Sequence, residues 1–325
     1  GAGILWQTRA LPPEQVFSCL NCHAPLAEQK ALLAQQLQWQ GAGKRPPPDY
    51  VPEDLHEQGL VCAACHVRGH QRFGPPPKQE LPDTGLPHNG FVESAAFEDS
   101  RFCASCHQFP DDGPSLNGKL LENTYREWSE SRFADEGRSC QSCHMPDRRH
   151  LWRGIHDPSM VAEALAINLQ AWPTDDGAVR VEASILNQGA GHYFPTYLVP
   201  KVWLQLLLLD KEGKVNKTLD EQIVTRDVDV WLSEEFSDSR IAPGDKRFLV
   251  ARLETPPPAD WTFEVRVVVA PREHYERMFA TVMRNNAHEL DEQTRTLLTK
   301  AFEEARATRY TAMRTAIAVP TDSAN

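Results

Sequence analysis

One five-residue pattern recurs four times: CLNCH (Cys19, Cys22, His23), CAACH (Cys62, Cys65, His66), CASCH (Cys103, Cys106, His107) and CQSCH (Cys140, Cys143, His144). Together the repeats consume all 8 cysteines of the 325-residue chain. A CxxC pair serves structural zinc, a redox disulfide or covalent haem attachment, and only the last requires His as the next residue. With 12 histidines in 325 residues, finding one after every pair by accident has odds on the order of one in a million. Zinc ribbons have no reason to fix that His, and a thioredoxin-like motif would occur once beside a βαβ unit. The pattern therefore points to four covalently attached haem c groups. Thioethers from cysteines three apart pin one porphyrin edge, and the adjacent imidazole is held beneath the iron. This makes His23, His66, His107 and His144 the proximal ligands.

Eight further histidines remain for the opposite faces: His56, His70, His88, His150, His156, His192, His274 and His288. Four six-coordinate irons need four of them. On a helix continuing from CAACH, His70 points the same way as His66 four residues earlier, so it can serve only a neighbouring haem. His150 and His156 stand in the same relation to His144. His88, in the loop LPDTGLPHNGF, has no structural role to name and is taken as a ligand by exclusion. The candidate distal set is His70, His88, His150 and His156, with His56 and His192 in reserve. His56 lies on a polar stretch where a solvated surface side chain is the plainer reading. His192 belongs to NQGAGHYFPTYLVP, a turn-like segment from which it could orient a loop or reach a haem. For His274 and His288, on charged helices, surface or capping roles are expected. Met145, Tyr125, Trp128 and Trp152 read as side chains that pack against porphyrin.

Three segments must position these residues, giving an α+β multidomain fold. Residues 1–162 hold every motif and form a mostly helical and irregular haem domain, with KRPPPDYVP and FGPPPKQELPDTGLP as loops and LAEQKALLAQQLQW as a helix. Such a region is a poor candidate for an ordinary apolar core, so haem must supply much of the buried surface. Residues 163–271 read as an immunoglobulin-like β-sandwich: AVRVEASILNQ, KVWLQLLLLDKEGKV, KRFLVARLE and WTFEVRVVVA are strand-like and separated by turn formers. Residues 272–325 revert to helical periodicity and read as a helical hairpin, with Asp291 as an N-cap.

The formal net charge is −11, and each ferric haem with two propionates would add about one more negative charge. Nucleic-acid binding is disfavoured. The longest apolar run, VWLQLLLLD, is too short to span a bilayer, so no transmembrane segment is expected. C-type haem is attached outside the cytoplasm, which implies a periplasmic or extracellular chain. The start GAGILWQTRA lacks the features of a signal peptide, as expected of a processed form.

CASCHQF, TYREWSESRFADEGRSCQSCHMP, His150 and WRGIHDP resemble the signature of multihaem cytochromes c related to the tetrahaem carrier of ammonia-oxidising bacteria. CAACHVRGH resembles the block in which a His shortly after the second motif is a distal ligand, although VRG stands where relatives often have Gly-Pro-Gly. The resemblance implies distal roles for His70, His150 and His156. The GAGHYFPT block resembles a β-domain found at the C-terminus of some of these proteins.

Three functions follow. The first is electron transfer through stacked bis-His haems between redox donor and acceptor proteins, which requires no substrate pocket. The second is reduction or oxidation of a small nitrogen or sulfur compound at one haem left open. The third is a subunit of an extracellular cytochrome filament, with self-association through the β-domain and tail. Electron transfer without catalysis is the reading that the motifs favour.

Overall fold

The computed structural model describes residues 6, 7, 11–39, 48–78, 90–286, 288 and 290–320. The chain divides into two compact units, one of residues 1–107, 139–141 and 290–301, the other of residues 108–138, 142–289 and 302–325.

The first unit carries helices α1 (Pro13–His23), α2 (Ala27–Gln36), α3 (Cys62–His66) and α4 (Arg101–His107). Pro13 opens α1 at the position where its missing N–H costs nothing. Strands β1 (Val67–Arg68) and β2 (Gln71–Gly74) form a hairpin, and β3 (Val92–Glu93) pairs in parallel with β2. The amide of buried Gln29 donates to the carbonyls of Leu55 (3.1 Å) and Gly59 (2.7 Å), tying α2 to a turn of 3₁₀ helix at Leu55–Glu57. The unit's apolar core is small, built on Val16, Leu20, Ala24 and Leu33. Among the described residues before 160, the only other buried apolar ones are Trp6, Ala34, Ala64 and Phe133.

The second unit begins with β4 (Ser115–Leu116) and β5 (Lys119–Leu120), followed by α5 (Thr124–Ser129) and α6 (Arg132–Asp135). Next come α7 (Cys140–His144), whose first two residues belong to the other unit, and α8 (Pro158–Ala164). Asp157 caps α8, accepting from the N–H groups of Ser159 (2.8 Å) and Met160 (3.0 Å). Replacement of Asp157 by Ala is expected to cost about 1 kcal/mol, read as a lower urea midpoint at unchanged slope.

Nine strands follow: β6 (Leu165–Pro173), β7 (Val179–Asn187), β8 (Lys201–Leu209), β9 (Val215–Val224), β10 (Arg226–Val228), β11 (Glu235–Asp238), β12 (Lys246–Leu253), β13 (Thr262–Ala270) and β14 (Tyr310–Ala318). They form antiparallel sheets of order β12-β7-β6 and β14-β13-β8-β9, with β10 and β11 paired apart. The two larger sheets share one core. Val179, Val181, Ala183 and Ile185 come from β7, Val202, Leu204, Leu206 and Leu208 from β8, and Phe263, Val265, Val267 and Val269 from β13. The alternate spacing is the period-2 signature of a strand with one face inward. In β8, Leu207 and Leu209 are buried as well, which accounts for the uninterrupted LLLL of the sequence. Arg226, fully buried, pairs with Glu235 (2.8 Å) and donates to the carbonyls of Leu116, Lys119 and Leu120, fastening the β4–β5 turn to β10.

The C-terminal region departs from a helical hairpin. Helices α9 (Glu273–Asn285) and α10 (Glu292–Arg306) are present, and the carboxylate of Asp291 accepts from the Thr294 N–H at 2.8 Å as an N-cap. The expected second helix stops at Arg306, and residues 310–318 form β14 on the edge of β13. Ala, Met and Arg in TAMRTAIA favour a helix in isolation, but ladder pairing with β13 overrides that weak preference.

Candidate haem-binding sites

Each motif occupies a short helix ending on its own histidine: α1, α3, α4 and α7. Positions i and i+3 share a helix face, so both sulfurs of a motif are presented together. No disulfide joins the cysteines. Among the described residues no three His, Cys, Asp or Glu side chains converge as a metal-ion cluster.

Cysteines of different motifs come together in the first unit. Cys103 and Cys140 lie close enough to influence each other's ionisation, which pushes the Cys103 thiol up and holds Cys140 down. Burial raises Cys65, which lies within electrostatic reach of Cys106. The backbone N–H of Cys140 donates to Ser100 Oγ at 3.0 Å, fixing the start of α7. Cys103 and Cys140 would each hold a haem through a thioether, from neighbouring points of the unit.

The donor set fits a haem iron. His66 Nδ1 donates to the Phe73 carbonyl at 2.7 Å and His144 Nδ1 to that of Arg153 at 2.6 Å. A carbonyl only accepts, so Nδ1 carries the proton and the lone pair sits on Nε2. This is the second-shell arrangement that orients a metal-binding imidazole and raises its basicity. The His66 ring also stacks on Phe97, with centroids 4.8 Å apart. Against the surface expectation, the His56 side chain is only 9% exposed. Its Nδ1 donates to the Glu53 carbonyl at 3.0 Å, and its buried Nε2 makes no hydrogen bond, the nearest charge being the Glu57 carboxylate at 3.8 Å.

His192 stands opposite His144, with ring centroids 6.3 Å apart and planes inclined by 14°. The loop that presents it is held from several sides. Asn187, buried at the end of β7, donates to the carbonyls of His192 and Ile241, each at 3.0 Å, and accepts from the Ala190 N–H. Glu127 of α5, which the sequence did not mark, accepts from the Tyr193 N–H (3.0 Å) and the Thr196 hydroxyl (2.7 Å). It also pairs with Arg240 at 3.3 Å. Burial raises the Glu127 carboxyl, opposed by these hydrogen bonds and by Arg240. Nothing in TYREWS distinguishes a buried acid from a solvated one, since its partners lie some 70 to 110 positions away.

The other histidines fall elsewhere. The helix assumed to carry His70 ends at His66, and Gly69 and His70, with φ of 52° and 63°, make the two-residue turn of the β1–β2 hairpin. His70 is exposed at that tip, and the same-face geometry does not apply. His150 and His156 are also exposed, His150 lying against Trp152. Partial burial and nearby Arg272 lower the pKa of His156. His88 lies outside the described residues. His274 is buried instead of lying at the surface, its Nδ1 has no hydrogen-bond partner, and burial takes it down to about 4. His288 lies in an exposed turn. Trp128 donates its indole N–H to the Arg138 carbonyl at 2.9 Å, giving it a structural role beside α7. No helix among the described residues is long and apolar enough to cross a membrane.

No protein-family model matches the chain, and no curated protein is similar to it in sequence. Among solved structures it is similar to a penta-heme cytochrome c552 from Thermochromatium tepidum, with a TM-score of 0.59 and 15% identity. The likeness covers 93% of this chain and 83% of that one. At this identity the likeness is one of fold, and the fold is that of a multihaem cytochrome c.

Proposed function

We propose that the chain is a tetrahaem c-type cytochrome, related to the tetrahaem carriers, that passes electrons along closely spaced bis-His haems outside the cytoplasm. The observation that carries this reading is that four CxxCH motifs use every cysteine, each on a short helix ending on its own histidine, with His66 and His144 oriented by Nδ1 hydrogen bonds. Cys103 and Cys140, from different motifs, are near enough to perturb each other, so their haems would be attached at neighbouring points of the first unit. When bound, the haems supply one-electron redox chemistry. The chain tethers them, orients His66 and His144 through their Nδ1 hydrogen bonds, and excludes water with Phe97 and its neighbours. His56, buried and aimed through Nε2, is the best prepared further ligand in the first unit. The sandwich is read as immunoglobulin-like, because its first, second and fifth core strands share one sheet, as A, B and E do in that fold.

Alkaline pyridine spectra of the exported protein should count four haems per chain, one for each motif. Replacing both cysteines of any one motif by Ala should leave three. A chain that binds stoichiometric zinc and no haem would sink the reading.

A further inference from the structure

His144 and His192 are positioned as the two sides of one coordination site. An iron bonded to the Nε2 atoms of two imidazoles at about 2 Å each, with each ring centre about 1 Å beyond its nitrogen, holds those centres about 6 Å apart. The observed separation is 6.3 Å, and the planes are inclined by only 14°. Both rings also present the same nitrogen. The Arg153 carbonyl takes the Nδ1–H of His144 at 2.6 Å, and the Tyr193 carbonyl takes that of His192 at 2.8 Å, so both lone pairs lie on Nε2.

The loop has little freedom to place His192 elsewhere. A Cβ on Gly189 would lie 2.1 Å from the Glu163 carbonyl oxygen, and one on Gly191 would lie 3.1 Å from both Ser131 Oγ and the Trp128 ring. At Gly189 only glycine allows the chain to lie so close against α8, and at Gly191 a side chain would press on the segment preceding CQSCH. Asn187 holds the His192 carbonyl and Glu127 holds the next N–H. Such second-shell support is what positions a metal-bound imidazole.

We propose that His192 is the distal ligand of the haem tethered at CQSCH, closing the iron whose proximal ligand is His144. This rests on the haem reading above. The β-domain is thereby a working part of the cofactor site, since the loop between β7 and β8 provides an axial ligand. With both axial positions of that iron filled, His150 and His156 are excluded from it.

The test uses the full-length holoprotein. In the ferric electron paramagnetic resonance and absorption spectra, His192→Ala should add a high-spin component equal to one haem in four, and imidazole should abolish it. His192→Met should keep that iron low-spin, replace an imidazole by a thioether and raise the potential of one haem. Variants that retain four haems with unchanged spectra and potentials would overturn the assignment. Fewer than four haems in the unmodified protein would instead overturn the haem reading.

Discussion

Produced without haem attachment, the chain is expected to keep its β-sandwich and to lose order in the described parts of residues 13–107. The two regions bury apolar surface by different means. The sandwich has a continuous core in which Val181, Ile185, Val202, Leu204, Leu206, Phe263, Val265 and Val267 are fully enclosed by protein. The motif helices α3 and α4 are only 5 and 7 residues long, below the length at which an isolated helix is stable, and contribute Ala64 as their one buried apolar side chain. On the proposed haem reading, the porphyrins supply the apolar surface these helices lack. Hydrogen exchange read by mass spectrometry is the direct measurement. Slow exchange in β7, β8 and β13 with near-random rates in α3 and α4 is the expected pattern. Equal protection in both regions of the haem-free chain would show that haem is not the missing core.

Glu127→Ala is expected to destabilise the second unit by about 3–5 kcal/mol, because it removes one partner from a buried ion pair and strands the other. Arg240, 6% exposed, would keep Asp238 at 2.9 Å but lose Glu127, while the Tyr193 N–H and the Thr196 hydroxyl would lose their acceptor. Glu127→Gln retains one acceptor oxygen and should cost less. Urea unfolding followed by far-ultraviolet circular dichroism gives both values. A loss below about 1 kcal/mol for the Ala variant would place it among ordinary surface substitutions and show that Asn187 alone holds the His192 loop.

The elements legible in the sequence were those whose cause is local. The strands at 179–187, 201–209, 246–253 and 262–270 announced themselves through alternating Val, Leu and Phe and the turn formers between them. The N-cap at Asp291 was readable for the same reason. What failed had a distant cause. Residues 310–318 looked helical until pairing with β13 claimed them. His70 is the exception, since its cause was local: Gly69 beside it turns the chain into a hairpin. His274 looked exposed on a charged helix, yet its face of α9 packs inward, with its N–H on the Val199 carbonyl at 3.1 Å.

The same division holds at the cofactor sites. Four CxxCH motifs point to covalent haem and to its proximal histidines, because two thioethers and the adjacent iron ligand need only five contiguous residues. A distal ligand must approach from the far side of the porphyrin, and no local spacing records which segment arrives there. Only the tertiary structure sets His192 opposite His144 across 48 residues, by closing a loop with Asn187 and Glu127 over Gly189, which leaves no room for a side chain, and the tightly packed Gly191.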